Sequence, residues 1–142
     1  MAGEKTFPFE ILTLHRLFLR DDVRFVIAPG QEGVFEILAN HAPFVFALKP
    51  GTLRARMPGG QDQVAAIGAG LLVVQKDRTT VLARSAERPG EIDVDRARRA
   101  KERAEQRLEQ PTADIDMARA QAALQRALAR LQVAGYAGSG RK

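Results

Sequence analysis

The chain changes character across residues 87–107, Glu-Arg-Pro-Gly-Glu-Ile-Asp-Val-Asp-Arg-Ala-Arg-Arg-Ala-Lys-Glu-Arg-Ala-Glu-Gln-Arg. Before this stretch, short runs of Val, Ile, Leu and Phe are broken by Gly and Pro. After it, Ala, Arg, Gln, Glu and Leu recur at helical spacing. Asp93 stands where the helical pattern begins and is a good N-cap, because its carboxylate can accept hydrogen bonds from the free N–H groups of the first turn. We therefore predict a β unit over residues 1–87 and a helical unit over residues 88–142.

The first unit reads as a small antiparallel sandwich or barrel. Its apolar runs have strand length, and turn signals such as Pro29-Gly30 and Pro58-Gly59-Gly60 recur about every ten residues. No helical stretch separates the runs, which argues against a βαβ architecture. The predicted strands are 7–14, 17–20, 23–28, 34–38, 44–48, 53–57, 64–67, 71–74 and 79–83. Gly68-Ala69-Gly70 precedes a strand rather than a helix, so it predicts a turn or a close backbone approach, not a phosphate-binding loop.

The second unit predicts two helices that pack as an antiparallel hairpin. Pro111 separates them, and Thr112 or Asp114 is expected to cap the second, which should end near Gly135. Two stripes recur at steps of three and four: Ala97, Ala100, Ala104 and Leu108, then Met117, Ala120, Leu124, Leu128 and Leu131. Alanine buries little area, so we expect a hairpin that is weakly held and able to open.

Composition excludes several kinds of chemistry. The chain has no cysteine, so it offers neither a thiol nucleophile nor a thiolate metal site. Its two histidines, His15 and His41, lack the spacing of metal ligands, and no catalytic constellation is visible. No apolar run approaches the roughly 20 residues of a membrane span, and the N-terminus lacks a signal-peptide core. We expect a soluble or peripheral protein.

Arginines dominate the helical unit, and their pattern supports more than one interpretation. Arg96, Arg99, Arg103 and Arg107 stack on one helix face, and Arg126 and Arg130 lie one turn apart on the other helix. If the two sets converge, they form a pocket suited to phosphate. The charge pattern alone favours a solvated face laced with acidic partners. Net charge +5 raises nucleic acid as a partner, but the helical unit has one aromatic residue and so no stacking platform.

The ordered set of turns and strands resembles the ε subunit family of the bacterial F-type ATP synthase over nearly the whole chain. The segments that carry the resemblance are 29–33 (Pro-Gly-Gln-Glu-Gly), 37–43 (Ile-Leu-Ala-Asn-His-Ala-Pro), 48–51 (Leu-Lys-Pro-Gly), 68–74, 81–83 and 92–97 (Ile-Asp-x-x-Arg-Ala).

The resemblance implies an antiparallel β-sandwich of about ten strands followed by a two-helix hairpin. It implies a non-catalytic central-stalk subunit that contacts the γ subunit and the c-ring. Its helices can extend to the α/β catalytic head and inhibit ATP hydrolysis. The expected location is the cytoplasmic face of the bacterial cell membrane, with membrane contact only through the complex. No metal and no nucleic acid are implied.

Some members of this family bind ATP as an allosteric ligand, not as a catalytic cofactor, and ATP holds their hairpin folded. Their motif implies an ATP site in this chain made of Glu87, Ile92, Asp93, Arg96, Arg103, Arg126 and Arg130. The alternative is a purely structural stalk subunit whose arginines contact only protein.

The family's contacts with the c-ring or the γ subunit imply roles for Glu32, Glu36 and His41. Many members carry an acidic residue directly after the second glycine of the Pro-Gly-x-x-Gly turn, and a glycine two positions later. This chain has Val34 and Glu36 at those positions.

Overall fold

A computed structural model describes residues 5–138, so the outer ends of the predicted units 1–87 and 88–142 lie outside the described residues. The predicted order of a β unit and then two helices is confirmed. The strands are β1 (Phe7–Leu12), β2 (Leu17–Val23), β3 (Phe25–Gly30), β4 (Gly33–Leu38), β5 (Phe44–Leu48), β6 (Gly51–Arg56), β7 (Asp62–Ile67), β8 (Gly70–Val74), β9 (Thr79–Ala83) and β10 (Ala86–Glu87). A 3-10 helix (Pro89–Glu91) leads into α1 (Val94–Glu109) and α2 (Met117–Gly138).

The strands of residues 5–138 form one continuous ten-stranded sheet that folds into a sandwich of two layers. One layer has the order β10-β7-β6-β3-β4 and the other β5-β8-β9-β1-β2. The layers are joined where β3 and β5 pair at Gly30 and Leu48. Strand pairs within residues 5–138 are antiparallel, as predicted, except that β1 runs parallel to β9. The strands β1 and β9 are not joined by a hairpin, because β2 to β8 lie between them in the sequence. They can therefore pair while running in the same direction.

The core lies between the two layers and consists of the inward-facing apolar side chains of most strands. The largest fully buried members are Phe9, Ile11, Val23, Val26, Ile37, Leu48, Leu53, Leu72 and Val81. Gly70 lets β8 and β9 approach closely, since a Cβ atom at this position would lie 2.1 Å from the carbonyl oxygen of Leu82. The close backbone approach predicted for the Gly68–Gly70 segment is therefore confirmed.

The first strand is shorter than predicted. It ends at Leu12, not Leu14. Thr13 starts a turn in which its Oγ1 accepts hydrogen bonds from the backbone N–H groups of His15 and Arg16, both at 3.2 Å. The Thr13 hydroxyl thus competes with strand pairing for the backbone N–H groups, and the strand ends there.

Asp93 caps α1 as predicted, because its Oδ1 accepts a hydrogen bond from Arg96 N at 3.0 Å. The cap predicted for α2 is wrong. Asp116 Oδ1, and neither Thr112 nor Asp114, accepts from Arg119 N at 3.1 Å directly before α2. The Thr112 hydroxyl instead donates to Asp114 within the loop.

The prediction that Gly135 ends the second helix is also wrong. The helix continues to Gly138. Gly135 does not adopt a positive φ, so it does not form the left-handed cap that usually ends a helix at glycine. Neighbouring Val133 and Tyr136 pack against the sandwich, and this packing offsets the propensity cost of about 1 kcal/mol for glycine inside a helix.

The buried face of α2 differs from the predicted stripe. Met117 and Leu128 are each 45% exposed. The buried residues are Ala120, Ala127, Ala129 and Val133. The stripe is confirmed at Ala120, and Leu124 and Leu131 are half-buried, but it is wrong at Met117 and Leu128. The buried face is broader than predicted because α2 contacts α1 and also β6, β7 and the 3-10 helix. Small side chains on a broad face allow both contacts to be close.

Candidate functional site at the joint of sandwich and hairpin

An ion pair connects the end of the sandwich to the middle of α2. Arg130 Nε donates to Glu87 Oε1 at 2.6 Å, and each side chain is about one-third exposed (33% and 30%). Glu87 is the last residue of β10, so the bond ties the helix directly to the edge of a sheet. Because both groups are charged, this hydrogen bond is stronger than one between neutral groups.

Arg126 lies one turn before Arg130 on α2 and borders the same small cavity as Glu87 and Arg130. The structure thus brings together three of the residues predicted to bind ATP. In this arrangement Glu87 neutralises Arg130, while Arg126 is exposed. The cavity therefore has an excess of positive charge.

The predicted residues at the start of the hairpin have structural partners. Ile92 is partly buried against a small apolar cluster that contains Val64, Ala129 and Val133. The Asp93 carboxylate caps α1. Ile92 therefore helps to dock α2 on the sandwich, and Asp93 fixes the start of α1.

Two predicted residues lie elsewhere. Arg96 and Arg103 are exposed on α1, and neither lines the two cavities that Arg126 borders. ATP binding by the predicted set stays a prediction.

A larger cleft was missed by the sequence reasoning. It has a volume of about 620 Å³ and lies between the sandwich and the first half of α2. Its cationic lining residues are Lys49, Arg84, Arg119 and Arg126. Lys49 and Arg84 follow strands far apart in sequence, so no local pattern could place them together. Only their positions directly after β5 and β9 hinted at a shared edge.

A second ionic contact holds the start of the hairpin. The two Nη atoms of Arg16 donate to the two carboxylate oxygens of Glu91 at 3.0 and 2.9 Å, and Arg88 N donates to Glu91 Oε1 at 2.8 Å. The Arg16 hydrogen bonds, followed by that from the Arg88 backbone, lower the pKa of Glu91 from 4.5 to about 2. The guanidinium of Arg88 lies 4.1 Å from the ring centroid of Phe18. The β1–β2 turn thus clamps the 3-10 helix.

The outer face of β5, β8 and β9 presents an exposed apolar surface, which the sequence reasoning also missed. Val45 is opposite Val73, Ala47 is opposite Leu71, and Leu71 is opposite Leu82, so these side chains share one face. Val45 is 54% and Leu82 45% exposed. The available signal was the unbroken apolar run of β8, since a strand with one solvated face normally alternates with polar residues. We call this surface the outer apolar face.

Glu10 marks the edge of the outer apolar face and is buried. Its Oε1 accepts from Arg20 Nη2 at 3.0 Å and its Oε2 accepts from Thr80 Oγ1 at 3.0 Å. Burial raises the pKa of Glu10, but the hydrogen bonds from Thr80 and Arg20 and the charges of Arg78 and Arg20 outweigh it, so the pKa is lowered. Glu10 is therefore a paired carboxylate, not a proton donor.

One of the residues predicted to contact the c-ring or the γ subunit borders an apolar groove. Glu32 is exposed in the β3–β4 turn and borders the groove together with Val34 and Phe44. Glu36 is exposed on β4. The rings of His41 and Phe46 are T-shaped, with 5.9 Å between their centroids. These contacts stay predictions.

Residues 5–138 contain neither a candidate metal site nor a candidate membrane helix. Within that range no three acidic or histidine side chains are grouped so that they could hold a metal ion. No helix there is both long enough and apolar enough to cross a membrane.

Comparison with known sequences gives matches along almost the whole chain. Residues 6–89 match the family model described as ATP synthase, Delta/Epsilon chain, beta-sandwich domain, and residues 91–135 match ATP synthase, Delta/Epsilon chain, long alpha-helix domain. The chain is 51% identical over 134 residues to the ATP synthase epsilon chain of Nitratidesulfovibrio vulgaris, covering 94% of this chain and 99% of that protein. It is 48% identical over 130 residues to the ATP synthase epsilon chain of Syntrophomonas wolfei, covering 92% and 95%.

Solved structures give the same fold. A chain of the Euglena gracilis mitochondrial ATP synthase, described as OSCP/F1/c-ring in rotational state 1, superposes with a TM-score of 0.77 at 22% identity, covering 94% of this chain and 86% of that one. A chain of the Tetrahymena thermophila mitochondrial ATP synthase, described as central stalk/c-ring, gives a TM-score of 0.56 at 15% identity, covering 96% and 98%. At these identities the match concerns the fold.

Proposed function

This chain belongs to the ATP synthase delta/epsilon family, and we propose that it is a non-catalytic central-stalk subunit whose hairpin regulates ATP hydrolysis, with ATP as an allosteric ligand. The subunit acts in the complex at the cytoplasmic face of the bacterial cell membrane. It transmits rotation between the c-ring and the catalytic head and carries out no chemistry itself. Its relatives of nearly equal length are named as epsilon chains of ATP synthase.

The sandwich supplies the stalk contacts in this proposal. The outer apolar face, with Val45, Leu71 and Leu82, is the kind of surface that a permanent protein partner covers. We assign it to the γ subunit. The turn that carries Glu32, with Glu36 and His41 nearby in sequence, is assigned to the c-ring.

The way α2 is held to the sandwich carries the regulatory part of the proposal. The contact consists of the Glu87–Arg130 ion pair, the Thr52–Gln132 hydrogen bond of 2.9 Å and a small apolar cluster around Val133. Each polar bond contributes about 1–3 kcal/mol at most, and the apolar cluster has far fewer buried residues than the core of the sandwich. The hairpin can therefore detach while the separate core of the sandwich stays intact, and the detached helices can reach the α/β catalytic head.

ATP would bias this equilibrium if it bound the docked hairpin more tightly than the detached one. Its phosphates would be held by Arg126 and Arg130, which border one cavity, and by Arg103, whose exposed side chain would have to turn toward them from α1. Ile92 would offer an apolar wall for the base. Arg130 would then exchange its carboxylate partner for a phosphate. The alternative is a purely structural stalk subunit in which Arg130 serves only its contact with Glu87.

Calorimetric titration of the full chain with ATP tests the allosteric ligand. We expect saturable one-site binding, weakened about tenfold by Arg103→Gln, which removes one charge-assisted hydrogen bond. Arg99→Gln is the matched control, since it removes the same charge from an exposed site on the same helix. Absence of heat at millimolar ATP, or equal weakening by both variants, would reject the ATP site and favour the structural alternative.

A further inference from the structure

We propose that the cleft lined by Lys49, Arg84, Arg119 and Arg126 binds an anion with two or more linked phosphate groups. We call it the basic cleft. It shares Arg126 with the predicted ATP site but none of the other predicted residues. The inference therefore does not depend on whether the Ile92–Ala97 motif binds a nucleotide.

Uncompensated charge is the first argument. The basic cleft has four cationic side chains and no acidic one; its other lining residues are Gln31, Pro50, Gly68, Ala69, Ser85, Ala118, Ala122 and Gln125. None of the four cations makes an ion pair with any residue whose structure is described. Elsewhere in the same range, Arg16, Arg20, Arg56 and Arg130 each have a carboxylate partner. Like charges that share a cleft repel each other, and a bound anion would remove this repulsion.

Size and lining chemistry are the second argument. A volume of about 620 Å³ falls within the range of small-molecule sites, roughly 300–1,000 Å³. Part of the lining consists of small residues, which leave room for a ligand: Gly68, Ala118 and Ala122. Ser85 and the amides of Gln31 and Gln125 add neutral hydrogen-bond donors to the guanidinium groups. Arginine forks match phosphate oxygens in a bidentate geometry.

The lining also limits the ligand. Unlike the predicted ATP site, the basic cleft contains no large apolar or aromatic side chain against which a base would stack. Recognition therefore falls on the phosphates. The source is either a free polyphosphate or the tail of a nucleotide, since the two present the same groups.

The basic cleft lies between the sandwich and α2, so anion binding there affects docking of the hairpin. Lys49 and Arg84 belong to the sandwich, whereas Arg119 and Arg126 belong to α2. An anion bound to both sets bridges the two units and is lost when the hairpin detaches. By mass action it stabilises the docked state.

The test is calorimetric titration of the full chain with pyrophosphate and with tripolyphosphate at fixed ionic strength, together with thermal unfolding. The wild type should bind saturably and unfold at a higher temperature with ligand. Arg84→Gln and Arg119→Gln should each weaken binding about tenfold, because each removes one charged donor. The Arg99→Gln control should leave the affinity unchanged.

Additional binding measurements distinguish the basic cleft from the proposed ATP site. Arg103→Gln is assessed by its effect on ATP binding, and Arg84→Gln by its effect on pyrophosphate binding. If ATP fails to bind while pyrophosphate still requires Arg84, the ATP proposal fails and the basic cleft stands. Loss of ATP binding in Arg84→Gln would identify a nucleotide tail as the occupant. The proposal is overturned if pyrophosphate binding is not saturable, or if Arg84→Gln and Arg119→Gln bind it as tightly as the wild type.

Discussion

At the scale of single residues, Glu91 shows how one carboxylate can join two units of the chain. It accepts hydrogen bonds from Arg16 of the β1–β2 turn and from the Arg88 backbone, and its pKa is lowered to about 2. A carboxylate with a lowered pKa stabilises the fold at pH values above its unfolded pKa. This contribution is lost as the pH falls through the folded value.

We therefore expect Glu91→Gln to lower the free energy of unfolding at pH 7 by about 1 kcal/mol, a magnitude typical of a partly exposed ion pair. The difference from wild type should shrink between pH 4.5 and pH 2, where the wild-type carboxylate becomes protonated. Urea titrations at pH 7 and pH 3 measure it. Glu102→Gln, at an exposed position on α1, is the control and should have little effect at either pH. A difference that does not depend on pH would contradict the assigned cause.

Gly70 gives a second prediction at this scale. Gly70→Ala would place a Cβ atom 2.1 Å from the backbone carbonyl of Leu82, which cannot move without separating β8 from β9. We expect a loss of about 2 kcal/mol or more in stability, measured by urea unfolding. Gly90→Ala is the matched substitution, because no atom lies within 4 Å of its added Cβ. It should be close to neutral, and equal losses in the two variants would contradict the argument.

At the scale of elements, the sequence predicted most strands and the start of α1 because the signals are local. Alternating apolar runs and Pro-Gly turns predict strands directly, and Asp93 directly precedes the helical pattern. The cap of α2 was misplaced because Thr112, Asp114 and Asp116 are chemically similar and follow one another after Pro111. Asp116 is the cap because α2 begins at Met117, directly after it. The basic cleft and the outer apolar face could not be predicted, because each depends on strand neighbours set by the topology.

The N-cap of α2 gives a prediction at the scale of elements. Asp116→Ala should destabilise α2 by about 1 kcal/mol, because it leaves the backbone N–H of Arg119 without its partner. Asp114→Ala should have a smaller effect, since Asp114 is exposed in the loop and contacts Thr112. Helical circular dichroism during thermal unfolding compares the two. If Asp114→Ala destabilised α2 more than Asp116→Ala does, Asp114 would be the cap, as first predicted from the sequence.

At the scale of the whole molecule, the sandwich is held together by more buried contacts than the hairpin. The sandwich has its own buried core, whereas the hairpin is attached through Val133, Ala129 and a few polar bonds. Regions with few buried apolar contacts open at lower free energy than the core. We expect backbone amides of α1 and α2 to exchange faster than those of β3 and β8 when followed by hydrogen exchange.

Val133→Ala should widen this difference. Val133 is fully buried where α2 meets the sandwich, so its truncation should lower the opening free energy of the hairpin by about 2 kcal/mol. Exchange in the sandwich strands should not change. Leu128→Ala is the control because Leu128 is 45% exposed, and it should have little effect. If Val133→Ala accelerated exchange equally in both units, the hairpin would not be a separate unit of opening.

The order of elements along the chain has a consequence during synthesis. The helix α1 packs mainly on α2, which follows it in the sequence. While the chain grows at roughly 5–20 residues per second, the sandwich can complete its core before α1 has a surface to cover. A helix of 16 residues is only slightly longer than the roughly 12–15 residues below which isolated helices are marginal, so α1 depends on packing for most of its stability. We therefore expect the nascent protein to pass through a state in which a finished sandwich carries an unattached basic segment, with docking of α1 waiting until α2 has left the ribosome.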